Sequence, residues 1–316
     1  MPRPAPLALA ALLLTASTAA WAGPERGMDP TPPMADGGGA IPKHRIFYTN
    51  ANFTRLNPLG LIEDFSVGWR YRLMDSESVL FEDTYTLLGV TARASPAFAR
   101  GGVRAEIAPI AVWKAWGTYE RVAYFGSFDQ ITGFTDADAV YDDDTLSALG
   151  RGKATGGWVA TAGTVLQAKV GPVALRSTFQ GTRYDLDLPE GERFFYDQFW
   201  DRLAPNERWM LLNDLDLMGV FEHARVGARW TWSDALIDEG DTVAGLAHHR
   251  VGPLFAWQFK DAPTGTRFNR PTLFALAQWW MQHPYRDGTL SSQAMPLMAF
   301  GFAFQGDLLG APPTGG

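Results

Sequence analysis

An all-β fold, a single antiparallel transmembrane β-barrel of about 12 strands (roughly 10 to 14) with long extracellular loops, is predicted by three observations. Apolar and polar residues alternate with period two along much of the chain. Beyond the N-terminus no run reaches the roughly 18 consecutive apolar residues of a spanning helix. Short and long polar connections alternate between the strand-like runs. In lipid only helices and closed barrels satisfy every backbone group, so strands without a spanning helix mean a barrel.

Composition removes other classes. The 316 residues are 46% hydrophobic and 13% aromatic, too apolar for a disordered chain. A net charge of -7 lacks the basic face that a nucleic-acid binder needs. With no cysteine, disulfides, thiolate metal sites, cysteine nucleophiles and a lipid-modified N-terminal cysteine are excluded. The expected partners are the lipid bilayer and, through the lumen, small solutes or ions; no cofactor is expected.

Taken in order, residues 1–22 read as a secretory signal: Arg3, an apolar run from Leu7 to Ala20, and Ala20-Trp21-Ala22 before the expected cleavage at Gly23. Residues 23–43, rich in Gly, Pro and Asp, read as a flexible periplasmic leader. The barrel is expected over 44–308 and a disordered tail over 309–316. A signal with this barrel pattern places the protein in the outer membrane of a Gram-negative-type bacterium.

Strands are expected at Arg45–Leu56, Leu61–Met74, Val79–Ala92, Ala97–Ile107, Ile110–Gly126, Gly157–Val170, Val173–Leu186, Arg208–Val220, Ala224–Leu236, Ala247–Lys260, Thr272–Gln282 and Ala294–Gln305. In the second, Val67, Trp69, Tyr71 and Leu73 share one face and Ser66, Gly68, Arg70 and Arg72 the other. In Arg225–Ser233 the outward set is Val226, Ala228, Trp230 and Trp232; Arg225, Gly227, Arg229, Thr231 and Ser233 point inward. The last strand alternates Met298, Phe300, Phe302 and Phe304 with Ala299, Gly301, Ala303 and Gln305. Aromatics on one face and Gly with Arg on the other fit a lipid wall and a polar lumen.

Three Pro-containing segments, around Pro109, Pro172 and Pro253, look like a weak internal repeat. Proline lacks the ladder donor, so Pro109 and Pro172 are expected at hairpins. Pro253 is read as an interruption within one strand, because thirteen strands would break the even count of bacterial barrels. Ser127–Thr155, Asp187–Glu207 and Ile237–Gly245 are the long loops.

On these features the chain resembles bacterial outer-membrane β-barrel proteins. Gly301, Phe302 and Phe304 are similar to their C-terminal assembly signal, although the chain continues for 12 residues past Phe304. The segments His248-His249-Arg250-Val251-Gly252-Pro253 and Phe304-Gln305-Gly306-Asp307-Leu308 resemble uncharacterised myxobacterial-type outer-membrane proteins. The resemblance implies a barrel and carries no activity.

Catalytic motifs are scarce. Gly150-Arg151-Gly152-Lys153 is followed by Ala154 where a phosphate loop needs Ser or Thr. Asp214 and Asp216 share a strand face and His248 shares the lumen side, which gives a runner-up hydrolase constellation with an Asp/His site near the mouth. The blander reading pairs both aspartates with lumen Arg70, Arg229 or Arg250. Asp136, Asp138, Asp142 and Asp144 offer carboxylates for calcium but lack an EF-hand's Gly and terminal Glu. Trp279-Trp280 and His283-Pro284-Tyr285 read as an interfacial girdle. The leading function is therefore a non-enzymatic barrel, a porin-like small pore or a structural or transport-accessory barrel. Alternation lines its lumen with Arg70, Arg72, Arg176, Arg225, Arg229, Arg250, Lys169 and Lys260. The acids expected there are few, chiefly Asp214, Asp216 and Glu120, and Arg229→Ser is expected to be mild.

Overall fold

The computed structural model describes residues 43–76, 78, 80–81, 84–127, 131–150, 152–237, 247–259, 268–286 and 294–309. The expected signal and leader up to residue 42, the expected tail from residue 310, Lys260 and most of the expected loop 237–245 lie outside them.

The elements, in order, are β1 (His44–Leu56), β2 (Gly60–Arg72), β3 (Tyr85–Ala94), β4 (Phe98–Ile110), β5 (Trp113–Phe125), β6 (Thr132–Phe134), α1 (Asp143–Leu149), β7 (Ala154–Val170), β8 (Val173–Leu186), β9 (Phe194–Asp197), β10 (Arg202–Pro205), β11 (Trp209–Val220), β12 (Ala224–Ala235), β13 (His248–Gln258), β14 (Asn269–Gln282) and β15 (Leu297–Leu309). Twelve of them close into one barrel, and β10, β9 and β6 form a separate three-stranded sheet. Each barrel strand pairs antiparallel with the next, and β1 seals the ring against β15 from Leu56↔Met298 to Ile46↔Leu309. Closure leaves no open edge, which lipid requires.

Proline explains the strand count. In β13, Pro253 pairs with Ala228 of β12, while the ladder to β14 skips from Val251↔Trp279 to Leu254↔Leu276. The missing N–H falls in that gap, so one strand continues through it. Pro172 sits in the β7–β8 turn beside Gly171, whose φ of 57° is the left-handed region that glycine tolerates. Pro109 is not at a hairpin as expected: β4 runs through it to Ile110, and the register breaks between Ile107 and Ile110 instead. A second correction concerns the third strand, which starts at Tyr85 rather than Val79. Among the described residues before it, Leu80 meets the β4–β5 turn, its carbonyl accepting from Ala111 N at 2.9 Å.

The wall follows the period-two pattern. Val226, Trp230, Phe300, Leu88, Val103 and Leu217 are exposed on the outside, while the residues between them point inward. Such a continuous apolar exterior is stable only in lipid. The two ends differ. Both chain ends of the barrel lie at one; the connections 126–153, 187–208, 236–247 and 283–296 lie at the other. Long connections mark the extracellular end. Together the closed ladder and this wall put the protein in the outer membrane of a Gram-negative-type bacterium.

Inside, Phe47, Tyr85, Leu87 and Ala108 pack together towards the periplasmic end. Phe53, Met218, Leu254, Ala256 and Phe274 form a second cluster. The Phe274 ring needs Gly301 opposite it, because a Cβ there would stand 1.9 Å from the ring. Towards the extracellular end a third cluster joins strand residues Val122, Val159, Tyr184, Leu186 and Met210 to loop residues Ile131, Phe195, Trp200 and Ala204.

Candidate functional site

Strand register assembles the lumen's charges. Asp216 faces Arg229 directly across β11 and β12, and Asp214 faces Thr231. Arg229 Nε donates to Asp216 Oδ1 at 2.6 Å and Nη2 to Oδ2 at 2.7 Å. Its Nη1 lies 3.3 Å from Asp214 Oδ2. The Thr231 hydroxyl donates to Asp214 Oδ1 at 2.5 Å and accepts from Gln278 Nε2 at 2.9 Å. Arg176, on β8, is the cross-strand neighbour of Asp216 on its other side. This is a bidentate charge pair with its lone pairs occupied, the geometry that offsets burial best.

A second network lines the opposite staves. Arg93 Nε donates to Asp64 Oδ2 at 2.9 Å. Glu120 takes Arg100 Nε at 2.7 Å on one oxygen and the Thr91 hydroxyl at 2.9 Å on the other. Arg104 Nη2 donates to Glu106 at 2.5 Å, and the Tyr85 hydroxyl donates to the same carboxylate. Arg70 lies over the Tyr85 ring at 3.9 Å, and Arg45 Nε donates to Asp307 at 2.5 Å. Asp64, Glu106 and Asp307 thus correct the expectation of a lumen with few acids. Asp64 and Glu106 already lie within the expected strands, and extending the last strand's parity by two residues from Gln305 adds Asp307. Arg70, Arg176, Arg225, Arg229, Arg250, Asp214 and Asp216 are buried inside, whereas Arg72 and Lys169 are only partly buried near the periplasmic end. Arg72 reaches Asp75 at 3.1 Å.

The extracellular mouth holds a folded cap rather than plain loops. The loop after β5 contributes β6 and α1; the loop after β8 contributes the β9–β10 hairpin, and β6 pairs with β9. Apolar residues under the hairpin fill the mouth, and polar bonds tie it to the strands. Arg55 of β1 donates to the carbonyls of Phe199 and, at 2.8 Å, Gln198. Arg202 Nη1 donates to Ser233 Oγ of β12 at 3.0 Å. Asp201 accepts from Tyr196 Oη at 2.7 Å and Arg286 Nε at 2.9 Å. Burial pulls the Arg202 guanidinium down to about 10, so it stays a cation at neutral pH.

The histidines join this cap and not the aspartate pair. His248 contacts the Tyr141 hydroxyl at 3.3 Å, and its ring lies 4.3 Å from that of His283. Along the β12 ladder His248 faces Ser233, two residues nearer the mouth than Thr231, the partner of Asp214. The residues of the runner-up hydrolase therefore lie in two separate networks. The girdle reading of residues 279–285 is corrected too. Trp279 is exposed outside, but Trp280 faces inward on the parity of Gln278, and His283 and Tyr285, past the end of β14, turn inward against His248 and Tyr141.

The acidic loop does not gather a cation site. Asp142 caps α1 by accepting from Thr145 N at 2.8 Å, and Asp136 accepts from the Thr135 hydroxyl. Among the described residues, no group of three or more His, Asp or Glu side chains has a metal-holding arrangement.

No family model and no curated protein matches the chain. Solved structures similar to it include the translocator domain of the autotransporter NalP from Neisseria meningitidis, 10% identical, covering 83% of this chain and 88% of that one with a TM-score of 0.40. The outer membrane protein Omp33 of Acinetobacter baumannii is 11% identical, with 85% and 100% covered and a TM-score of 0.35. Both are bacterial outer-membrane proteins; at these scores the fold of this chain rests on its own ladder, a closed antiparallel barrel of twelve strands.

Proposed function

We propose that the protein is a non-enzymatic outer-membrane barrel with a polar, arginine-containing lumen that is filled at rest, a structural or transport-accessory barrel rather than an open porin. One observation carries this reading. Inward side chains are sealed from water-sized contact: Asp216 is 0% exposed, Gln278, Thr178 and Leu254 1%, and Arg229 2%. An open pore wets its inward residues. Here the same positions face one another: Arg229 is held by Asp216 and Asp214, Arg70 lies over the Tyr85 ring and Arg250 over the Trp280 ring, so these guanidinium groups do not form an open anion-attracting ring.

A small pore that opens when the cap leaves is the second reading. It is favoured by the polar character of the ties at Arg55, Arg202 and Arg286, which break more readily than an apolar seal. The hydrolase reading on Asp214, Asp216 and His248 finds no shared cleft. The segments 248–253 and 304–308 resemble myxobacterial-type outer-membrane proteins, a likeness that carries no activity.

Planar-bilayer recording of the refolded, heat-modifiable barrel tests the reading. The expected record at neutral pH is a flat baseline. Steady open-channel current from the intact protein overturns the filled lumen.

A further inference from the structure

The outer wall carries a polar group where a lipid-facing surface holds apolar side chains. On β1, Thr49, Ala51, Phe53 and Arg55 are buried inward, so Asn50, Asn52 and Thr54 point out; on β2, Ile62 and Asp64 are inward and Glu63 points out. These side chains are joined. Asn50 Nδ2 donates to the Glu63 carboxylate, and Asn52 Nδ2 donates to Asn50 Oδ1 at 3.1 Å. Asn50 is the middle residue of the 13-residue β1. Its ladder partners are Phe65 and Phe304; Asn52 and Glu63 stand nearer the extracellular end, where Glu63 faces Ala94, the last residue of β3, between the exposed Leu61 and Phe65 of the same outer face.

Hydrocarbon offers this group nothing. Among the described residues, Asn52 Oδ1 and the second Glu63 oxygen have no hydrogen-bond partner. A carboxylate and two amides facing lipid tails are costly unless another protein surface supplies donors. The adjoining wall suits close approach, because Ala92 and Ala94 of β3 and Ala99 of β4 expose only methyl groups beside the patch.

We propose that a second copy of the chain docks on this face within the membrane, forming a two-fold dimer. The chemistry of the group selects that occupant. A primary amide is both donor and acceptor, so Asn50 and Asn52 are complementary to themselves across a two-fold axis. In the dimer the free N–H of Asn52 in each copy reaches the unfilled oxygens of Asn52 or Glu63 in the other. A lipid phosphate does not fit, because the patch is acidic and presents no cation. The proposal goes beyond the filled-lumen reading and does not depend on it.

The test exploits the absence of cysteine from the chain. Thr54→Cys puts a unique thiol inside the patch. Leu217→Cys puts one on β11, where Leu217 is 55% exposed on the far side of the ring, as the control. Each full chain is reconstituted at low density in phosphatidylcholine vesicles and treated with a bifunctional maleimide, after heat modifiability confirms the barrel. The T54C chain is expected to give a dimer band and the L217C chain none. Adding Asn52→Leu and Glu63→Leu to T54C should cut the yield by roughly tenfold, the size polar pairs between membrane segments reach. Equal cross-linking at both positions, or none at Thr54, overturns the proposal whether or not the leucine variant folds. So does a folded leucine variant with unchanged yield.

Discussion

Arg229 and Asp216 meet as a bidentate pair across β11 and β12, with both donor–acceptor distances at 2.6–2.7 Å and both side chains shut off from water. Removing either partner breaks the bidentate pair and leaves the other charge buried with only a weaker neighbour, Asp214 at 3.3 Å from Arg229 or the cross-strand Arg176 beside Asp216. Asp216→Asn or Arg229→Ser is therefore expected to destabilise the barrel by about 3–5 kcal/mol in a urea refolding titration, while a joint Asp216→Leu, Arg229→Met exchange recovers most of the loss. The alternation of the sequence placed Arg229 inside, and a watery lumen would have tolerated serine. The proposed filled lumen reverses that expectation of a mild Arg229→Ser. A mild Arg229→Ser phenotype would mean that water reaches the pair.

Trp230, next to Arg229, faces the opposite way. It is 38% exposed on the outer wall and stacks on His249 at 5.5 Å. Trp230→Arg is expected to cost about 2–4 kcal/mol if the residue lies near the bilayer midplane, and less near the interface. The same titration checks it, and a cost near zero would indicate a register slipped by one residue.

These two neighbours illustrate what was legible. Facing in a strand depends only on parity, so the wall, the twelve strands and Asp214, Asp216 and Arg229 as inward residues could be read from the period-two pattern. Which inward residues touch depends on register between strands far apart in sequence. Arg45 with Asp307, joining β1 to β15, is invisible without the closed ring, and Arg93 with Asp64 depends on the register of the β2–β3 hairpin. The cap was less legible still. Tyr141, Asp201, Arg202 and Arg286 come from loops without periodicity, and only the fold brings them over the mouth. Reading Tyr285 as a girdle residue failed for that reason, since aromatic composition gives no sign of a chain turning inward past its strand; Trp280 was a miss of parity, for it faces inward with Phe274 and Gln278.

The cap's polar ties predict how it opens. Asp201→Asn weakens the hold on Arg286 and leaves that cation only the exposed Asp143 at 3.4 Å, a loss of about 1–3 kcal/mol. The β9–β10 hairpin should then undock while the barrel persists. Limited proteolysis at the exposed Gly191 should accelerate in Asp201→Asn, and brief conductance events should appear in bilayers. Faster cleavage without any current would leave the lumen filled below the cap. Unchanged cleavage would refute the polar latch.

Acid should loosen the same cap through His283. Its Nε2 donates to the Asp201 carbonyl at 2.7 Å, while its Nδ1 accepts from Tyr285 N at 3.1 Å, an arrangement that only the neutral ring can make. Burial pulls its pKa below the usual histidine value; Asp201 opposes that shift, and Arg286 and Arg250 add to it. Between the lowered folded value and an unfolded value of about 6.5, the unfolded cap binds more protons than the folded one. The contribution of His283 is thus complete above that unfolded value and is lost progressively as pH falls towards the folded one. Protonation at Nδ1 also forces apart the bond to Tyr285, with Arg286 close by. Amide exchange across residues 194–205 should therefore be faster at about pH 5 than at about pH 7.5, with the strand ladder unchanged. In His283→Gln, whose amide can still donate to Asp201, that difference should shrink sharply. If the variant keeps the full acid response, the sensitivity originates elsewhere in the cap.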